Sequence, residues 1–169
     1  VGVAAGSEAG VAGCLVYLAT YVVMNLGAFA LILSMKRGGQ PVETIADLAG
    51  LSRDRLPMAL ALLVVFFSMA GIPPLAGFFG KFLVFTAAIE AGFWWLAVIG
   101  LVTSVLSAFY YIRVIKVAFF DEPGEDGGFD ASDISLRTVY GASAVFLLIF
   151  IAFVGYVIDW AGASAGVFA

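Results

Sequence analysis

The chain has 169 residues, of which 63% are hydrophobic and 12% charged, and its mean hydropathy is +1.11. Ordinary globules are about half apolar and a quarter charged, and a soluble domain of this size lacks the interior to hide the excess, so the composition points to a multi-span membrane protein. The formal charge of -4 reflects one local run, since six of the twelve acids lie in DEPGEDGGFDASD, and no basic patch suited to nucleic acid remains.

With no histidine and with Cys14 alone, neither a metal cluster nor a disulfide is expected, and any chemistry falls to Lys, Asp, Glu, Tyr or water. The opening VGVAAGSEAG lacks the basic start of a signal peptide, and without an initiator methionine the chain is expected to be a piece of something longer.

The pattern predicts an all-α membrane fold, a bundle of four transmembrane segments in a single membrane domain over 1–169. The first segment covers about 11–35. On it Tyr17, Tyr21 and Asn25 recur at i, i+4 and i+8, with Thr20 alongside, as one polar stripe. The connection over 36–56 contains KRGGQPVETIADLAGLSRDR, a solvated stretch with a short helix expected around 44–50.

The second segment, about 57–90, contains GIPPLAGFFGKF. As one straight helix it would be about 51 Å long, against a hydrocarbon core of roughly 30 Å. Pro73 and Pro74 lack backbone donors and Gly71 and Gly77 flank them, so a break near 72–76 is predicted, with a half-helix on either side. Irregular backbone at membrane depth needs protein or a hydrated cavity around its polar groups, so the break implies a polar site.

Lys81 falls about one turn into the second half-helix. The positive end of the helix dipole and the neighbours Phe78, Phe79, Phe82 and Phe85 all disfavour its charged form. The pattern describes a switchable proton carrier, charged beside a partner acid and neutral away from it. The plainer readings are a lysine that snorkels to an interface or a static ion pair. Ionisable groups inside spans are costly and usually face a pathway.

After the short link EAG, the third segment covers about 93–120 and carries Ser104, Ser107 and Tyr111 on one face, with Thr103 and Tyr110 nearby. The two polar stripes suggest a water-filled route beside Lys81, or merely hydrogen bonds that join helices. The loop over 121–135 is acidic and glycine-rich, but the spacing of Asp126, Asp130 and Asp133 does not fit a calcium loop. The fourth segment covers about 136–160.

Seven of the eight basic residues act as topology signals: Lys36, Arg37, Arg53 and Arg55 in the first connection, and Arg113, Lys116 and Arg137 around the acidic one. Both connections are therefore expected on the cytoplasmic side. Trp94, Trp95 and Trp160 read as anchors at the opposite interface, where Glu90 and Asp159 also lie, each a candidate proton exit or simply a solvated boundary acid.

The stretch SMAGIPPLAGFFGKFLVF, preceded by DLAGLSRDRLPMALAL and followed by WWLAVIGLVTSVLSAFYYIRVIKVAFFDEP, resembles the C-terminal part of the antiporter-like subunits of respiratory complex I. The likeness runs from about Tyr17 to Asp159. It implies that these are the last four segments of a longer helical array in the bacterial inner membrane, within a proton-translocating NADH-quinone oxidoreductase. It also implies that Lys81 belongs to the proton pathway, on the half leading to the non-cytoplasmic side. The other pathway groups would lie upstream.

On this resemblance the partners are other membrane subunits, lipid, protons and water. NADH, FMN, iron-sulfur clusters and quinone belong to partner subunits, with no cofactor or redox chemistry in this chain. Multi-subunit cation/proton antiporters share the proline motif and form the second reading. A purely structural scaffold segment is a third.

Overall fold

The computed structural model describes residues 1–123 and 128–166 and is predominantly helical. Helix α1 (Glu8–Ser34) begins where Ser7, in extended conformation, accepts the Gly10 N–H on its hydroxyl at 3.2 Å. It is the central post, with later helices packed around it. Small residues let one of these approach closely: a β-carbon at Gly13 would lie 3.2 Å from the Leu83 carbonyl carbon, and one at Gly80 would lie 3.0 Å from the Tyr17 Cα.

The first connection departs from pure helix. Strands β1 (Lys36–Arg37) and β2 (Gln40–Pro41) pair antiparallel around Gly38 and Gly39, whose φ values of 55° and 80° suit a tight hairpin turn. The helix expected around 44–50 forms instead as a 3-10 turn over Ala46–Leu48 followed by α2 (Leu51–Asp54). Gly50 separates the two in left-handed conformation at φ 82°. Thr44 and Asp47 close a reciprocal cap: the Thr44 N–H donates to the Asp47 carboxylate at 2.9 Å, and the Asp47 N–H donates to Thr44 Oγ1 at 3.4 Å.

Helices α3 (Leu56–Ala70) and α4 (Ala76–Glu90) follow, each 15 residues and so about 22 Å long. Helix α5 (Trp94–Phe120) returns along both of them, with most of its surface exposed. At its end Lys116 pairs with Asp121. In the acidic connection, 124–127, Asp126 included, lies outside the described residues.

The last apolar stretch begins at Ile134 and is interrupted rather than continuous. Helix α6 (Ile134–Ile149) passes through a 3-10 turn (Phe150–Ala152) into α7 (Val154–Ala165). Side chains three apart eclipse in a 3-10 turn, which brings the rings of Phe150 and Phe153 to 5.3 Å. Phe146 and Phe79 complete that aromatic cluster, which fills the space between α6 and α4.

Among the described residues three stretches are long and apolar enough to cross a membrane by length and composition: Glu8–Ser34, Trp94–Phe120 and Ile134–Ala152. The core beneath them is lined by Val16, Leu31, Leu62, Val65, Leu147 and Phe150, all nearly inaccessible.

The two polar connections grip each other through Phe129, which is only 5% exposed. Its N–H donates to Asp54 Oδ2 at 3.3 Å, its carbonyl accepts from Arg55 Nε at 3.0 Å, and the Arg37 guanidinium lies 4.2 Å over its ring. Next to it the Asp130 N–H donates to the Lys36 carbonyl at 2.9 Å. Residues 36–55 and 128–130 therefore share one end of the bundle.

Candidate functional site

The site is built where α3 stops. Gly71 adopts φ 84° and ψ 35°, its N–H turns back to the Phe67 and Ser68 carbonyls, and the Ile72 N–H donates to the Phe67 carbonyl at 3.0 Å. This left-handed ending satisfies some of the last carbonyls of α3. Exposed Pro73 and Pro74, joined by a cis peptide, carry the chain to Leu75, which is extended and supplies no side-chain cap to α4.

Lys81 reaches back across this gap. Its Nζ donates to the Met69 carbonyl at 2.9 Å and the Ala70 carbonyl at 3.3 Å, in the final turn of α3. These oxygens have no partner within their own helix and sit at its negative end, so they suit a cation. Ser68, fully buried, bonds in the opposite direction: its hydroxyl accepts the Gly77 N–H at 3.0 Å and donates to Met24 Sδ at 3.3 Å. Gly77 is held so tightly that a β-carbon there would collide with the Ser68 carbonyl.

Lys81 also borders three hollows, two of them against α1 and α5 and one between the end of α3, α4 and α5. The most polar, about 170 Å³, is lined by Tyr17 and Tyr21 from α1 and by Thr103, Ser104, Ser107 and Tyr111 from α5. Along both helices it extends from Lys81 toward the end that carries the connections. A larger hollow of about 400 Å³ extends the other way, from Ala70 and Gly71 past Phe78, Phe82 and Phe85 to Thr86 and Ile89. The third, about 280 Å³, adds Cys14 and Val84. Each has room for several waters.

Thus Tyr17, Tyr21, Ser104, Ser107 and Tyr111 face one cleft with Lys81, and Gly71 borders the second. Asn25 does not reach the cleft and donates instead to the Tyr21 carbonyl at 2.8 Å. Eight residues advance a helix by about 80° past two full turns, which turns Asn25 away, while Met24, seven residues from Tyr17, returns to the cleft. Thr20 is buried and donates to the Val16 and Tyr17 carbonyls at 3.0 Å. Glu90 is exposed at the end of α4 and borders none of the three hollows. Phe79 packs on Phe150, away from Lys81.

Ser68 and Met24 were not legible as site residues, because their bonds depend on how α3, α4 and α1 meet in space. The nearest signal was the position of Ser68, three residues before Gly71, in a buried helix with few other polar groups. Among the described residues no group of histidine, cysteine or carboxylate side chains could hold a metal ion.

The family described as NADH:quinone oxidoreductase/Mrp antiporter, TM, matches residues 1–107, well over half of the chain. The chain belongs to this family. Among its curated relatives, NADH-quinone oxidoreductase subunit N 1 of Acidiphilium cryptum is 57% identical over 150 residues, covering 89% of this chain and 31% of the relative. NADH-quinone oxidoreductase subunit N of Rhodospirillum rubrum is 52% identical over 167 residues, covering 98% of this chain and 34% of the relative. The chain thus spans about a third of the length of these relatives.

Among solved structures, respiratory complex I from Thermus thermophilus with bound aureothin superposes with a TM-score of 0.75 at 37% identity, covering 90% of this chain and 35% of that one. A chain of the Mrp complex from Dietzia sp. superposes with a TM-score of 0.80 at 21% identity, covering 97% and 39%, and so shares the fold.

Proposed function

We propose that this chain supplies four membrane crossings to a proton-translocating subunit of a bacterial NADH-quinone oxidoreductase, with Lys81 as a proton relay. The observation that carries the reading is the position of Lys81 where two hollows running in opposite directions meet, with its amine on free helix carbonyls. An ionisable side chain that borders cavities on both sides of a span has the geometry a relay needs.

The crossing count rests on the connections. Since 36–55 and 128–130 touch, whatever lies between them crosses and returns. Helix α5 makes one complete passage of 27 residues, so α3 and α4 together make the other, as one span interrupted at 71–75. Helices α6 and α7 with the turn between them make the fourth. On the charge rule, the clasped end is cytoplasmic and the Trp94, Trp95 and Trp160 end lies opposite.

In this mechanism the hydroxyls of Tyr17, Tyr21, Ser104, Ser107 and Tyr111, bridged by water, deliver a proton to the neutral amine. The resulting ammonium is stabilised by the Met69 and Ala70 carbonyls and releases its proton into the hollow along Thr86 and Ile89. Glu90, beyond that hollow, is the acid at the exit face. The NADH, FMN, iron-sulfur and quinone groups belong to other subunits, and this chain supplies the proton route alone. The names of the relatives favour the oxidoreductase over a cation/proton antiporter, whose support is the family description common to both and a shared fold.

The test is coupled proton pumping in membrane vesicles carrying Lys81→Ala and Lys81→Glu in the full-length subunit, with assembly of the complex measured separately. The alanine form should assemble and lose most of its pumping, and the glutamate form should recover part of it. Normal pumping by both assembled variants would mean that the region is scaffold.

A further inference from the structure

We infer that Ser68 is a positioning residue for Lys81, holding the carbonyls that receive its amine in place throughout the proton cycle. The inference rests on the relay reading above and adds to it a group that never touches the proton.

The two cross-bonds between α3 and α4 run in opposite directions. Helix α4 begins at Ala76, so the Gly77 N–H is one of the amides a helix leaves without an internal partner. That amide is ordinarily served by the residue just before the helix, yet Leu75 has no side-chain acceptor. Ser68, nine residues earlier, takes over the role. In exchange, Lys81 donates to the carbonyls of Met69 and Ala70, the two residues that follow Ser68.

These bonds differ in what happens when a proton leaves. The lysine bond weakens as an ammonium becomes an amine, because a charge-assisted bond is roughly twice as strong as a neutral one. The serine bond involves no titrating group and persists. Its second bond, to Met24 Sδ, ties the end of α3 to α1, the helix that also carries Tyr17 and Tyr21. Ser68 thereby keeps the end of α3, and with it both acceptor carbonyls, in register with α4 and the polar cleft whichever form Lys81 takes.

The lack of space supports the assignment. Any β-carbon at Gly77 would meet the Ser68 carbonyl, so the two backbones touch and the hydroxyl bonds the amide directly, with no gap for a bridging water. The titratable side chains that border the three hollows with Lys81 are Cys14, Tyr17 and Tyr21 on α1 and Tyr111 on α5. No carboxylate among the described residues borders them. A change in how Lys81 titrates is therefore not owed to a neighbouring carboxylate.

The experiment compares Ser68→Ala and Ser68→Thr with Lys81→Ala in the full-length subunit, reading pumping per assembled complex as a function of pH. Ser68→Ala leaves the buried Gly77 N–H without an acceptor and should slow pumping by about tenfold while displacing its pH profile. Ser68→Thr retains the oxygen and should recover both rate and profile. An alanine variant that pumps at the normal rate with the normal profile, or that lowers only the amount of assembled complex, overturns the inference. If the alanine variant does not assemble, the threonine variant decides: it must assemble and pump, and its failure overturns the inference equally. Loss of pumping in Lys81→Ala with a normal Ser68→Ala defeats this inference alone, whereas normal pumping in Lys81→Ala defeats the relay reading itself.

Discussion

Gly71 forms the floor beneath the Lys81 side chain: a β-carbon there would lie 3.1 Å from Lys81 Cδ and 3.3 Å from Nζ. The same glycine ends α3 with φ 84°, a conformation that side-chain-bearing residues rarely adopt. One residue thus stops the helix and leaves room for the lysine stem to lie across its end.

Gly71→Ala should carry both penalties. The left-handed backbone costs a non-glycine residue about 1–2 kcal/mol, and the new methyl presses on the flexible lysine stem. The expected result is a modest fall in the melting temperature of the assembled complex with a larger fall in pumping. Equal loss of both would mean that the glycine serves the backbone alone.

Gly77→Ala should be more damaging. Here the obstacle is the Ser68 carbonyl, a backbone atom that cannot swing aside, so the ends of α3 and α4 would have to separate. Overpacking of this kind costs about 3 kcal/mol or more. The variant should yield little assembled complex on native gels, and normal assembly would contradict the close backbone approach.

Phe129→Ala should uncouple the two connections. The ring is buried under Arg37, and the flanking backbone is gripped by Arg55 and Asp54. Truncating a buried phenylalanine costs about 3–5 kcal/mol, and the loop position of this one favours the lower end. Accelerated protease cleavage within 36–56 is the expected readout, with pumping by the intact complex largely preserved because Lys81 belongs to another part of the bundle.

Asp47 gives a pH-dependent signal outside the spanning segments. Hydrogen bonds from the Thr44 side chain and backbone hold its carboxyl below the ordinary carboxylate range. A carboxyl lowered in the folded state adds stability above its unfolded pKa of about 3.9, and that contribution disappears as the pH falls through the lower folded value. In detergent-solubilised protein the Thr44 amide shift should titrate with a midpoint below about 3.9. Asp47→Asn should abolish that titration, and a midpoint at the ordinary value would mean that the reciprocal cap is not formed.

The most legible residues were those that broke a rule. Lys81, Pro73 and Pro74 stood out because an apolar span excludes such residues, and the tyrosine and serine stripes followed from helical spacing. Asn25 falls outside the cleft because a four-residue repeat drifts off a helix face over two steps, leaving Met24 there. The grip on Phe129 and the bond from Ser68 to Gly77 were beyond reach, since both join segments whose meeting depends on the folded bundle. The interruption at Phe150–Ala152 carries no proline to announce it and arises where the phenylalanine cluster packs.

Thr20 and Ser107 separate a route from mere helix joining. Each hydroxyl donates to a carbonyl of its own helix at 3.0 Å, so by local bonding they are alike. They differ in surroundings: Ser107 borders the cleft with Lys81, whereas Thr20 is buried facing Gly80. Thr20→Val preserves shape and should leave pumping unchanged. Ser107→Ala and Tyr111→Phe should each slow it by roughly two- to fivefold, a limited loss because water substitutes for a hydroxyl nearly as well as a direct bond. Replacing both together should slow pumping more than either change alone, since one water must then span the place of two hydroxyls. If the cleft variants match Thr20→Val in every measurement, the stripes only join helices, and the proposed relay at Lys81 would need a path that avoids the face between α1 and α5.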